Sequence, residues 1–274
     1  MRRAINLRAR GGTIRTQIFQ IDAFTGQRFA GNPAAVMPLA GFLSDGAMQA
    51  IAAENNLAET AFIVPENGDY RIRWFTPAVE VPLCGHATLA SAAVVMERLE
   101  PQRSSVVFHS ASGPLTVKRV GSRYVMDFPA RSAASVPAQP ALANALGVQP
   151  VELFANEFNY MALLQDAKTV RELSPDFVAI ARLDLDGVIV TAQGDQGYDC
   201  VSRYFVPAKG INEDPVTGGA HCMLAPWWAK RLGKTELRAW QASSRGGEIV
   251  CRVKDDRVEL EGECVFYLEG HAEI

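Results

Sequence analysis

Two turns in this chain carry residues that could do chemistry, and they are built alike. Glu80-Val-Pro-Leu-Cys84-Gly85-His86-Ala-Thr runs into an apolar stretch ending at Leu99. After an offset of 133 residues, Glu213-Asp214-Pro-Val-Thr217-Gly218-Gly219-Ala-His221 runs into Cys222 to Leu232. Over positions 80–99, seven residues are identical without a gap, among them Glu80/Glu213, Gly85/Gly218 and Arg98/Arg231. Average residue usage would give roughly one or two by chance. Each turn opens a helix, whose first N–H groups lack intrahelical partners and carry positive potential. Two such ends facing each other would cradle a carboxylate or an enolate-like anion. Gly85, Gly218 and Gly219 would let a ligand approach the backbone closely, or would merely permit tight turns.

Those turns need elements to hold them. Thr16 to Phe24 alternates apolar and polar residues, the period of a half-buried strand. Gly31-Asn32-Pro33 reads as a turn, Ala34 to Leu39 as a strand, and Ser44 to Asn55 as a helix that Ser44 can cap. Strands are expected at Leu57–Val64, Tyr70–Phe75, Ser105–Phe108, Leu115–Lys118 and Tyr124–Phe128. Ala87 to Leu99 has no strongly polar face, which predicts a buried helix. The second half repeats the plan. Ile63-Val64 with Gly68-Asp69 matches Ile189-Val190 with Gly194-Asp195, and Arg73 to Ala78 matches Arg203 to Ala208. Beyond the second turn, Ser243, Gly246, Val250 and Arg252 match Ser110, Gly113, Val117 and Arg119. Ordered matches whose offsets drift only slightly indicate a duplication. The expected organisation is a flexible extension over 1–15, one domain over 16–128 and a second over 129–274, with the last strand free to return to the first domain.

Composition narrows the function. A net charge of −3, 48% hydrophobic and 21% charged residues describe a globular chain with no surplus of cation for nucleic acid or an anionic membrane. No apolar run reaches the roughly 20 residues of a membrane helix, and the basic start lacks a signal peptide's apolar stretch. Five cysteines without CxxC spacing read as reduced thiols in a cytoplasmic protein. His221-Cys222 with Cys84 and His86 matches no zinc pattern, so no metal is expected. Trp227 and Trp228 read as core or interface. Arg203 and Arg245 could clamp a ligand carboxylate or pair structurally, and the sequence leaves both open.

A family resemblance adds to this. Its carriers are Asp22-Ala-Phe-Thr with Gly31-Asn32-Pro33, Leu57-Ala-Glu59-Thr-Ala-Phe, and Phe75-Thr-Pro through Cys84-Gly-His86-Ala-Thr. They continue with Met126-Asp-Phe-Pro, Ser202-Arg-Tyr-Phe-Val-Pro, Glu213-Asp214-Pro-Val-Thr-Gly and Gln241-Ala-Ser243-Ser-Arg245-Gly-Gly. Over nearly all of 16–270 the chain resembles the PhzF-like phenazine-biosynthesis proteins, of the diaminopimelate-epimerase-like fold. The resemblance implies an α+β protein of two pseudo-symmetric domains, each a small β-barrel around a central helix, with the site between them. The family's reference enzyme isomerises dihydro-3-hydroxyanthranilate by moving a proton, with no cofactor or metal. Its catalytic glutamate, histidine and aspartate fall on Glu59, His86 and Asp214. Asn32, Gly85, Thr217, Gly218 and Gly219 fall in its substrate-binding turns. A homodimer and a small anionic metabolite are the partners it implies.

The chemistry suits the residues. A glutamate in an apolar strand, dry enough to raise its pKa, can take a proton from carbon and return it elsewhere. His86 and Asp214 would orient substrate or shuttle protons. Two serines of the reference enzyme are replaced here by Ala58 and Gly219, which separates this chain from the phenazine precursor. Related racemases use a cysteine at the start of each central helix; here the positions hold Cys84 and Thr217, which argues against a two-cysteine epimerase. Cys84 itself is expected to be a buried, inert thiol. Three functions follow in order: proton transfer by Glu59, a non-catalytic binding module of the same fold, and a cysteine-dependent enzyme using Cys84.

Overall fold

A computed structural model describes residues 13–274. Residues 1–12 of the expected extension lie outside the described residues. Strand pairing begins earlier than Thr16: the Ile14 N–H donates to the Ile274 carbonyl at 2.7 Å, and the Ile274 N–H donates to the Ile14 carbonyl at 2.8 Å. By internal contacts the chain forms two compact units. The first takes residues 13–23, 33–124 and 264–274; the second takes 24–32 and 125–263.

In the first unit the elements are β1 (Arg15–Ala23), β2 (Asn32–Pro38), α1 (Asp45–Asn55), β3 (Glu59–Glu66), β4 (Asp69–Phe75) and β5 (Glu80–Val81). They continue with α2 (Gly85–Val94), β6 (Ser105–Ser110), β7 (Gly113–Val120) and the start of β8 (Arg123–Pro129). β2 pairs parallel with β3, β3 antiparallel with β4, β4 parallel with β6, and β6 antiparallel with β7. The fold includes a closed eight-stranded barrel. Every residue of α2 from His86 to Val94 is buried, and a π-turn carries the chain on to Leu99. Such a helix can hold polar side chains only by satisfying them locally. Thr88 donates to the Cys84 carbonyl at 2.6 Å and Ser91 to the Ala87 carbonyl at 2.7 Å. α1 is capped as expected by Ser44 and buries Met48 and Ala52 against Met37, Phe62 and Phe75. Each such large apolar side chain contributes roughly 1.5–3 kcal/mol by leaving water.

The second unit holds β9 (Ala134–Ser135), α3 (Pro140–Leu146), β10 (Glu152–Ala155), β11 (Asn159–Leu163), α4 (Ala167–Glu172), α5 (Phe177–Ile180) and β12 (Gly187–Gln193). After these come β13 (Cys200–Val206), β14 (Ile211–Glu213), α6 (Gly218–Leu232), β15 (Glu236–Gln241), β16 (Gly247–Lys254) and β17 (Arg257–Glu273). The pairing order repeats that of the first unit: β11 parallel to β12, β12 antiparallel to β13, β13 parallel to β15, β15 antiparallel to β16. Duplication is thus visible in hydrogen bonding as well as in residue identity. α6 packs on β15 and β16 and contains Pro226. Proline cannot donate to the carbonyl four residues back; that carbonyl, on Cys222, instead accepts from the Arg131 N–H at 2.9 Å. β17 leaves the second unit at Glu263, and its remainder pairs with β1 from Ala23↔Cys264 to Arg15↔Glu273.

Candidate active site

In the first unit, three predicted side chains meet. Glu59 is the first residue of β3, paired beside Ala34 of β2, and follows the left-handed Asn56 that ends α1. His86 is the second residue of α2. The His86 Nε2 lies 3.0 Å from the Glu59 Oε2, with side-chain exposures of 5% and 13%. On the other side of the imidazole, the His86 Nδ1 lies 3.5 Å from the Cys84 Sγ. Neither the Glu59 Oε2 nor the His86 Nε2 meets solvent, and the two atoms face each other at ion-pair distance. Burial pulls the His86 pKa down and the neighbouring Glu59 carboxylate pushes it up. Burial, reinforced by the Glu59 charge, pushes the Cys84 thiol up to about 11 despite His86. Cys84 is therefore a thiol at neutral pH, and the His86 Nε2 faces the Glu59 carboxylate.

In the second unit, Asp214 is held by a network. The buried Asn32 amide donates to the Asp214 Oδ1 at 2.7 Å and to the Val216 carbonyl at 2.9 Å. The Thr217 hydroxyl donates to the Asp214 Oδ2 at 2.5 Å. Gln241, fully buried, accepts from the Thr217 N–H at 2.8 Å and donates to the Asp214 carbonyl at 2.7 Å. Ser243 donates to the Pro215 carbonyl at 2.8 Å. The turn that opens α6 is fixed at both its carboxylate and its backbone, before any ligand arrives.

The glycines divide. A Cβ at Gly219 would meet nothing within 4 Å, whereas one at Gly218 would come within 3.3 Å of Leu260. The N-cap residues Cys84 and Thr217 make no side-chain cap hydrogen bond, and Gly85, Gly218 and Gly219 stand in the first turns of α2 and α6. Gly219 thus has open space beside it, while Gly218 is packed closely against Leu260.

Asn32 was expected only in a substrate-binding turn; its side-chain amide donates to Asp214 and Val216. Gln241 carried no sequence-level role, although it stands in the motif Gln241-Ala-Ser243. Arg203 is structural: it grips Glu213 with two bonds of 2.7 and 2.8 Å and the Leu173 carbonyl at 2.6 Å. Arg73 grips Glu80 likewise, at 2.7 and 2.6 Å. The duplicated Arg and Glu thus clamp the short strand ahead of each central helix. Arg245 donates to the Gly31 and Ala30 carbonyls at 2.8 and 2.9 Å, strapping the segment 24–32. Trp228 is core, its indole N–H on the Thr191 hydroxyl at 3.0 Å, and Trp227 packs edge-on against Phe154. None of the five cysteines is in a disulfide.

The fold is an α+β barrel with a central helix, with a buried Glu–His pair at the start of α2 and an Asp-containing turn at the start of α6. The sequence model for the phenazine biosynthesis-like proteins, PhzC-PhzF, matches residues 21–270, and the chain belongs to that family. It is 49% identical to an uncharacterised isomerase of Pseudomonas aeruginosa over 92% of this chain and 97% of that protein. It is 39% identical to the phenazine biosynthesis-like domain-containing protein 1 of mouse, again over 92% of this chain and 97% of that one. The crystal structure of a PhzF-family protein from Enterococcus faecalis superposes with a TM-score of 0.92 at 44% identity, covering 95% of this chain and all of that one. A hydroxyproline epimerase from Agrobacterium vitis shares the fold alone, at a TM-score of 0.61 and 10% identity. Among the described residues no helix is long and apolar enough to cross a membrane.

Proposed function

We propose that the protein is an isomerase that moves a proton within a small carboxylate-bearing metabolite, with Glu59 as base and then acid. The Glu59–His86 contact of 3.0 Å, sealed from water, is the observation that carries this reading. A carboxylate beside an imidazolium holds one proton in a dry place. It can take a second from a carbon made acidic by a neighbouring carbonyl or carboxylate. The resulting anion is delocalised, and the pair returns a proton at another atom of the same substrate. The reaction is redox-neutral and atom-balanced with no cofactor in any step. His86 holds the Glu59 carboxylate in place and keeps its charge solvated by a donor rather than by water. Asp214 is the proposed third polar group, its carboxylate held by the Asn32 and Thr217 bonds and its backbone carbonyl by Gln241.

The isomerase names of relatives at 43–49% identity favour turnover over a binding module. The cysteine route has little support, because a buried thiol raised to about 11 is neither base nor nucleophile at pH 7. The test is deuterium wash-in from heavy water across a panel of small carboxylates, comparing wild type with Glu59→Gln. Wild type should label one member of the panel. Glu59→Gln should bind it and lose exchange by roughly 10²- to 10⁴-fold, the usual contribution of general acid–base catalysis. Undiminished exchange in the variant would remove Glu59 from the role.

A further inference from the structure

An N-cap residue ordinarily turns its side chain onto the first N–H groups of its own helix. Cys84 and Thr217 hold matching places in the repeat, 133 residues apart, and neither makes that bond. The Thr217 hydroxyl goes to the Asp214 carboxylate at 2.5 Å. The Cys84 sulfur goes to the His86 Nδ1 at 3.5 Å. In both copies the cap position serves a polar residue of the proposed site instead of the helix. The Cys84 backbone is itself pinned, since its carbonyl accepts from the Thr88 N–H at 3.2 Å and from the Thr88 hydroxyl at 2.6 Å. A buried imidazole has two nitrogens to satisfy. Glu59 faces the Nε2 at 3.0 Å, and Cys84 meets the Nδ1 on the opposite side of the ring. Turning the ring over would set carbons against both groups. A thiol suits the Nδ1 in either charge state of the ring: its sulfur accepts from an N–H, and its S–H donates to a lone pair. Cys84 keeps that S–H at neutral pH, because burial and the Glu59 charge push the thiol up to about 11.

We infer that Cys84 is a positioning residue: its thiol bonds the His86 Nδ1 and so keeps the Nε2, rather than a ring carbon, turned to Glu59. The effect on turnover rests on the role proposed for Glu59; the orientation of the ring does not. Cys84 neither attacks the substrate nor takes a proton from it, which separates it from a nucleophilic or basic cysteine. It works as a protonated thiol, through His86. Metal sites offer a scale for such an effect: removing the group that holds the far nitrogen of a ligating histidine costs roughly 10- to 100-fold. The same order of loss is expected here in the rate of proton transfer.

The experiment reads the ring directly, by ¹⁵N NMR of the intact chain labelled at its four histidines. The His86 resonances are those that His86→Gln removes. In wild type the Nδ1 should resonate as a hydrogen-bonded nitrogen. Cys84→Ala, confirmed folded by circular dichroism, should move the Nδ1 resonance toward that of a free imidazole. Cys84→Ser, which keeps a group that both donates and accepts, should restore it. Deuterium wash-in is the second readout. Cys84→Ala should exchange roughly 10- to 100-fold more slowly at saturation with KM little changed, and Cys84→Ser should recover most of that loss. A free-imidazole Nδ1 resonance in wild type overturns the inference without any variant. So does a Cys84→Ala protein that matches wild type in resonance or in rate, or a Cys84→Ser protein no better than Cys84→Ala. If Glu59→Gln abolishes exchange while Cys84→Ala changes nothing, the positioning role fails and the catalytic reading stands. If the Nδ1 resonance responds as described but Glu59→Gln still exchanges deuterium, the catalytic reading fails and the thiol still orients the ring.

Discussion

Cys84 shows at the scale of one residue why position and environment must be separated. A cysteine at the start of a helix is the usual setting for a reactive thiolate, because the helix N-terminus favours negative charge. Here burial and the Glu59 carboxylate act the other way and prevail, lifting the thiol to about 11. A thiol only 6% exposed should resist alkylation. Treating the native protein with iodoacetamide at pH 7.5 and reading each peptide by mass spectrometry should show Cys84 modified far more slowly than Cys264, the least buried of the five. Rapid, selective labelling of Cys84 would restore the cysteine route. Glu59 and His86 were legible as a pair only through the family motif: they are 27 residues apart, and no local periodicity brings a strand start onto a helix start. Asn32 and Asp214 are further still, 182 positions apart. A sequence can place each in a turn, but the hydrogen bond that orients the carboxylate comes from the folded chain.

The two central helices are copies that have diverged at the element scale. Their first carbonyls are satisfied by the same geometry with different chemistry: Thr88 donates its hydroxyl to Cys84, and His221 bonds Thr217 through its Nδ1 at 2.8 Å. Threonine does this without a charge state. His221 cannot, being fully buried, and burial lowers its pKa to about 4 although the Thr217 carbonyl opposes that shift. The unfolded chain therefore binds more protons than the folded one between about pH 4 and the ordinary histidine value of about 6.5. Stability from this residue is present above that window and is lost as pH falls through it, by about 3 kcal/mol in all. Urea denaturation midpoints of wild type and His221→Thr, followed from pH 7 to pH 4, should diverge in slope. The variant starts lower, for the cavity it leaves, and falls less steeply. Equal slopes would mean that His221 does not carry the acid sensitivity. The sequence match aligned Thr88 with His221 but could not say that both serve one carbonyl, since two such different side chains share no pattern. The Arg73–Glu80 and Arg203–Glu213 clamps were the reverse case: identical residues, visible in the repeat, whose structural purpose settles why they are repeated.

At the scale of the whole chain the duplication is real but the two copies are not separable by one cut. The Asp127 to Pro140 region was read as the repeat boundary because the chain turns rich in alanine, proline and serine there. It was less readable that 24–32 belongs with the second unit, because that segment sits inside the first copy and is tied by Arg245 and by a 2.7 Å bond from the Gly31 N–H to the Gly246 carbonyl. The first unit in turn depends on the end of the chain. β1 pairs with β17 at nine positions, Arg15 to Ala23 against Glu273 to Cys264, so residues 264–274 supply a wall of that unit. Without them β1 would present an unpaired edge, and an open barrel leaves its buried helix α2 exposed to water. A fragment of residues 13–124 should therefore fail to fold, showing no cooperative thermal transition by circular dichroism and rapid proteolysis throughout. Adding a synthetic peptide of residues 264–274 should restore β signal and protect the fragment from protease, saturating at one peptide per fragment. A peptide in which alternate residues are replaced by proline, unable to donate to the ladder, should not. A cooperative melt of the fragment alone would show that the first unit carries its whole fold within one copy of the repeat.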